Sequence, residues 1–190
     1  MNMKKAALFS LILGLVVAVT SMESCKKSNN SSTPTATLYD TLGGTTLVTD
    51  PNPPDNGPAQ VQHGRLTIRD VIDSTIFVIA GDDSINRYFA VLLSEVGAGN
   101  LSGFDSLSRN LTDFVSVAAG ATAYTYTGLS MPNAHNPSVN PRIAAAVTSG
   151  AFNEFISDVA KGATKVGAST MVIDQVAAKL EPVEPSVINQ

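Results

Sequence analysis

The chain of 190 residues has one cysteine, no tryptophan and two histidines, and only 15% of its side chains are charged. A lone cysteine, Cys25, excludes an intrachain disulfide framework and any cysteine-rich zinc or iron–sulfur centre. Twelve basic against sixteen acidic residues leave a formal charge of −4. Such a chain lacks the basic face that displaces counterions from phosphates, so no nucleic-acid partner is expected. Gly97, Gly99 and Gly103 do not have the spacing of a phosphate-cradling Gly-x-Gly-x-x-Gly turn, and Asp82, Asp83 and Asp105 do not form a calcium loop. No second cysteine or histidine stands near a serine to suggest a hydrolytic triad. What the chain does have is apolar surface: 44% of its residues are hydrophobic, enough to bury a core and to exclude wholesale disorder. The length suits one ordinary domain, or one domain with appendages.

The positive mean hydropathy of +0.14 has a local source. Residues 1–5 carry two lysines, and in residues 6–20 only Ser10 and Thr20 are polar. This is a charged leader and an apolar run of signal-peptide length, where a bilayer span needs about 20 residues. Ser21, Met22, Glu23, Ser24 and Cys25 follow directly. A small residue before a lone cysteine at the end of such a run resembles the lipobox of bacterial lipoproteins, from which Glu23 is a departure. The resemblance implies cleavage before Cys25 and acylation of its thiol and new amino group. Several acyl chains, at ~0.8 kcal/mol per buried methylene, would make that anchor effectively permanent. The protein is then expected in the cell envelope, lipid-anchored to the inner or outer membrane and facing the periplasm or the surface. A plain secretory signal with an incidental cysteine is the alternative. Lys26 to Thr37, rich in Ser, Asn, Thr and Pro, reads as a flexible tether. The expected organisation is a signal peptide over 1–24, a tether over 25–37 and a folded domain over 38–190.

Within that domain Ile68, Val71, Ile72, Thr75, Ile76 and Ile79 follow the i, i+3, i+4, i+7, i+8, i+11 pattern of one helical face, stopped by Gly81-Asp82-Asp83. Phe104, Leu107, Leu111, Phe114, Val115 and Ala118 give a second face before Gly120, and Phe152, Phe155, Ile156, Val159, Ala163 and Val166 a third before Gly167. Ser169 sits where a helix cap belongs, and Val172, Ile173, Val176, Ala177 and Leu180 form a fourth face before Pro182. Four such helices with little strand signal predict an all-α domain. The connections read as long loops: 50–64 with four prolines, 96–103 with three glycines and 136–141 with two prolines. His63 falls in the first of these and is expected to be a loop residue.

Two short motifs narrow the class. Leu38-Tyr39-Asp40-Thr41-Leu42-Gly43-Gly44 precedes the helices, and Tyr126-Thr127-Gly128-Leu129-Ser130-Met131-Pro132-Asn133-Ala134-His135 divides them. Together, in this order, they resemble the group I truncated haemoglobins over Leu38 to about Ile188, with insertions. The resemblance implies a two-over-two helical sandwich, a haem b cofactor, His135 as the proximal iron ligand and a diatomic gas as ligand. It also implies a pocket built of Ile76, Phe89, Leu107, Leu111, Met131, Phe152 and Phe155. Phe89 matches the phenylalanine that stacks on the haem, and Phe152 and Phe155 match proximal wall positions. Ile76, Leu107 and Leu111 fall where the family carries distal residues, the first commonly tyrosine and the last often glutamine. No hydrogen-bond donor is visible at these three positions, which puts nitric oxide dioxygenation in doubt. Ser108, Thr112, Tyr88 or Tyr124 would supply one if the register shifted by one residue. Oxygen storage, nitric oxide consumption, sensing and haem handling all stay open. So does a second class of reading, a globin-derived lipoprotein without haem that serves as a structural or apolar-ligand-binding module, and a third, a generic helical module of the envelope.

Overall fold

The structure, a computed structural model, describes residues 35–53, 57–188 and 190. The expected signal peptide, Cys25 and the tether as far as Pro34 lie outside the described residues. The expected all-α class holds: α1 (Leu38–Thr41), α2 (His63–Ala80), α3 (Ala90–Gly97), α4 (Ser102–Ala118), α5 (Met131–Ala134), α6 (Ser149–Lys165), α7 (Thr170–Leu180) and α8 (Glu184–Val187) carry the fold. No helix among the described residues is long and apolar enough to cross a membrane.

The four long helices close on one another in two stacked pairs. α2 packs against α4 and, most extensively, against α6; α6 packs against α7, and α7 returns to α4. The periodic positions are the buried ones. Ile68, Val71, Ile72, Thr75, Ile76 and Ile79 of α2 are all at most 6% exposed, and Ile68, Ile72 and Ile76 meet Val115 of α4, Val159 of α6 and Val176 and Leu180 of α7 in one cluster. A side chain in such a cluster contributes about 1.5–3 kcal/mol by leaving water. The boundaries follow from local chemistry. Thr148 caps α6 by accepting from Ala151 N at 3.2 Å, and Ser169 caps α7 by accepting from Val172 N at 3.4 Å. Gly120 and Gly167, with φ of 104° and 83°, end α4 and α6. Past each glycine the next amide reaches back to the last turn, Ala121 N to Ser116 O at 2.9 Å and Ala168 N to Ala163 O at 3.0 Å.

The connections differ from the sequence reading. The 50–64 segment is not one long loop: Gln60–Gln62 forms β2, which pairs antiparallel with β1 (Leu47–Thr49), Val61 opposite Val48. His63 is therefore the first residue of α2, exposed and outside any loop. The hairpin escapes notice because strands of three residues are too short for alternation to register. Asp50, 6% exposed, fixes the hairpin to α2 by accepting both guanidinium nitrogens of Arg69 at 2.6 Å, a forked ion pair that holds the Asp50 carboxyl below the usual carboxylate range. Within 96–103 only residues 98–101 lie outside helix, because α3 runs to Gly97 and α4 begins at Ser102. α3 follows a 3₁₀ turn over Asn86–Phe89 and buries only Leu92, too little for a periodic signal.

α2 and α6 come into direct contact at one glycine. A Cβ built on Gly162 of α6 would lie 2.5 Å from Thr75 Oγ1 and 2.7 Å from Thr75 N. Backbone cannot yield as a flexible side chain does, so a methyl group there forces α2 and α6 apart. Gly162→Ala is expected to destabilise the protein by about 1–3 kcal/mol despite alanine's better helix propensity. A shift of the urea midpoint to lower concentration at unchanged slope checks this; an unchanged or raised midpoint contradicts the close approach.

Candidate functional site

Next to that crossing the helices enclose an apolar cleft with about 20 Å³ of free volume. Ile76, Phe89, Leu107, Leu111 and Phe155, five of the positions that the resemblance assigns to a pocket, line it together. Thr75, Ile79 and Ala80 of α2 and Leu92 and Leu93 of α3 complete the wall. Thr75 and Ile79 stand on the apolar face already legible in α2, whereas the two leucines were hidden with the helix that carries them. Ile76 is buried, and Phe89, Leu107, Leu111 and Phe155 are half-buried. Phe152 does not line the cleft. Its ring lies 6.4 Å from that of Phe155, and it belongs to an adjoining cluster with Ile79, Ile85, Tyr88, Val147 and Val187.

The second motif is built as a frame for its histidine. Tyr126 stands edge-on against Phe114 of α4 at 5.7 Å and donates its hydroxyl to Leu129 O at 2.5 Å. Its ring folds over Gly128, where a Cβ would come within 2.6 Å of the hydroxyl, so the glycine is needed for the wrap. The chain then makes the single turn of α5, packs on α8 and ends at His135. Asn140 closes the far side by donating to Ala134 O at 2.7 Å.

His135 Nδ1 lies 2.8 Å from the carbonyl oxygen of Met131. A carbonyl only accepts, so Nδ1 carries the hydrogen, and in the neutral ring Nε2 keeps a bare lone pair. Burial pushes the His135 pKa below the ordinary histidine value, against the opposing pull of the Met131 carbonyl. The outcome at neutral pH is an uncharged imidazole of fixed tautomer, the form in which histidine ligates a metal, with the second nitrogen held by a backbone carbonyl. Met131 contributes that carbonyl; neither Met131 nor His135 is part of the cleft wall. The apolar cleft and the neutral nitrogen ligand of His135 are thus two separate features, each of the chemistry that a metal-bearing apolar group would need.

Among the described residues one group of carboxylates has metal-like spacing, Asp82, Glu154 and Asp158, with ligand oxygens within 4.8 Å of one another. Lys161 Nζ lies 3.5, 2.9 and 2.8 Å from the three. The ammonium already fills the cation's place, and the group is an ion-pair network joining α6 to the turn after α2.

No protein-family model matches the chain, and no curated protein sequence matches it significantly. Solved structures do. The truncated hemoglobin from Tetrahymena pyriformis in its Fe(III) form superposes with a TM-score of 0.56 at 17% sequence identity, over 82% of this chain and 100% of that one. Two single-residue variants of that protein, also in the Fe(III) form, superpose with the same TM-score and coverage at 16% identity. The chain therefore has the fold of a truncated haemoglobin.

The depressed pKa of His135 has a sign that can be measured. Between the folded pKa and the ordinary value near 6.5 the unfolded chain binds more protons, so stability rises with pH through that window and levels above it. Thermal midpoints of the wild type are expected to fall as pH drops from 7 towards 5. His135→Gln removes that component, and a variant with the same slope as the wild type would contradict a buried neutral imidazole.

Proposed function

We propose that the protein is a group I truncated globin that binds haem b, with His135 as the iron ligand and a diatomic gas as the sixth ligand. The observation that carries the reading is the Nδ1-to-Met131 hydrogen bond at 2.8 Å, which leaves Nε2 as a free donor on a buried, neutral ring. The residues present suit the group. Phe89, Leu92, Leu107 and Phe155 offer apolar walls to a porphyrin face, and the neutral imidazole of His135 is a nitrogen donor of the kind iron takes. A haem held there would supply an iron able to take a gas ligand. The chain's part is to present Nε2, exclude water through the cleft wall and keep charged groups away. A porphyrin needs more room than the present 20 Å³, so uptake requires the cleft to open between α3, α4 and α6.

The same closure favours a second reading, a globin-derived module that no longer takes haem and whose slot has repacked. Absorption spectra of the chain after haem supply separate the two. A Soret band is expected in the wild type and its loss or displacement in His135→Ala. A wild type with no Soret band would leave only the second reading.

The amino-terminal motif supports a second element of the proposal, anchoring through acylated Cys25 in the cell envelope, with residues 26–37 as the tether between lipid and domain. Cells labelled with a lipid precursor are expected to mark the wild type and not Cys25→Ser. Label retained by Cys25→Ser refutes the anchor.

A further inference from the structure

We propose that α3 is a lid on the apolar cleft, hinged at the 3₁₀ turn that precedes it and latched near its far end by an ion pair between Glu95 and Arg142. The inference concerns how any apolar molecule larger than water reaches the slot, and it stands whether or not that molecule is haem.

A slot with about 20 Å³ of free volume holds one molecule of water size, so a larger occupant needs part of the wall to move. The wall is drawn from α2, the 3₁₀ turn, α3, α4 and α6. Of these, α2, α4 and α6 are fastened to one another through the central core. α3, which gives Leu92 and Leu93 to the wall, buries only Leu92 and leaves Val91 and Val96 exposed. An element with so little buried apolar surface is the first to open locally.

The two ends of α3 are unlike. Its root is held: Tyr88 is 3% exposed, and the Tyr88 carbonyl accepts from Ala144 N at 3.1 Å. Past the far end, Ala98, Gly99 and Asn100 direct their amides back to the carbonyls of Ser94, Glu95 and Val96 within α3 itself. Gly97 and Gly99 stand in open space, where a Cβ would meet no atom within 4 Å. Residues 98–100 can therefore swing with α3 while their backbone hydrogen bonds stay intact.

Leu92 and Glu95 hold the far end down. The Glu95 carboxylate accepts from Arg142 Nε at 3.4 Å and lies 3.3 Å from Arg142 Nη2. Glu95 and Leu92 both rest on Gly103 at the start of α4, where a Cβ would strike the carboxylate and crowd Leu92 and Arg142. Arg142 is itself positioned by Asn140, whose side chain accepts from Arg142 N at 3.1 Å and donates to Ala134 O at 2.7 Å. The ion pair thus runs from α3 to the turn that ends in His135. With the Arg142 side chain 46% exposed, the pair shifts the lid towards closure by a factor of at most about five, a strength suited to release and open to screening by salt.

Hydrogen exchange of the full chain in detergent, read segment by segment by mass spectrometry, tests the lid. Residues 90–97 are expected to exchange faster than α2 and α6, at rates insensitive to low urea, the mark of a local opening. Arg142→Gln is expected to raise exchange in 90–97 about two- to fivefold and to leave α2, α6 and the urea midpoint unchanged. Glu95→Gln gives the same rise, and the double variant no more than either alone, because the two residues act through one contact. Salt at about 1 M produces the rise in the wild type and not in Arg142→Gln. Exchange of 90–97 at the rate of α2 and α6 overturns the lid, and additive or absent effects of the two substitutions overturn the latch. A protein without a Soret band that shows the expected exchange pattern refutes the haem reading and supports this inference, so the two fail separately.

Discussion

The contact on which the fold turns is the crossing of α2 and α6, where the backbone and hydroxyl of Thr75 pack directly on Gly162. Close approach at one point sets the separation of the two helical pairs everywhere else. It also gives Thr75 a double position. Its amide and hydroxyl face Gly162, while the residue forms part of the cleft wall with Ile76. The cleft and the crossing are consequently one piece of packing, and the volume of the cleft depends on a glycine about two turns along α6 from Phe155. A globin-like fold at 17% identity to its solved neighbour is understandable on these terms. What must persist is the pattern of buried positions and one permissive crossing, which leaves most side chains free to change.

The polar groups of α2 are arranged by the same logic. Arg65, Arg69 and Asp73, at i, i+4 and i+8, run along one stripe of the helix. Each reaches a different neighbour: Arg65 pairs with Asp113 of α4 at 2.5 Å, Arg69 with Asp50 beyond β1, and Asp73 with Ser108 of α4. The stripe ties α4 and the hairpin to the central helix, and the opposite stripe stays apolar for α6 and the cleft. Burial raises the Asp73 carboxyl above its ordinary range, with the Ser108 hydroxyl pulling the other way. That is the expected balance for a group placed to fasten helices and not to react.

The four long helices were legible because each carries an unbroken apolar face ended by glycine or proline, and Ser169 and Gly167 mark their boundary by the rules of capping. The hairpin, the helical start at His63 and α3 were not legible, since three-residue strands and a helix that buries only Leu92 leave no period to read. The site divides similarly. Ile76, Leu107, Leu111 and Phe155 lie on faces that periodicity exposes, and the structure brings them together with Phe89. Leu92 and Leu93 went unread with their helix. The tautomer of His135 depends on a carbonyl four residues back and was beyond any reading of composition or spacing.

The site is therefore defined as much by where hydrogens are committed as by which residues line it. The Thr75 hydroxyl of the cleft wall is tied within α2, Ser108 is tied across the α2–α4 seam, and the His135 ring N–H is tied on the turn of α5. A buried donor left free costs about 1–3 kcal/mol, so a fold with a dry slot at its centre gains stability by directing donors elsewhere. Thr112 and Ser116, one turn apart on α4 and both fully buried without partners, bear that cost inside the helical core and not at the cleft. An apolar slot of this kind is thermodynamically consistent with the rest of the chain. A donor at Ile76 or Leu111 would need either a partner to receive its hydrogen or a further rearrangement of the wall, which is why polarity at the cleft and core packing are set by the same few residues.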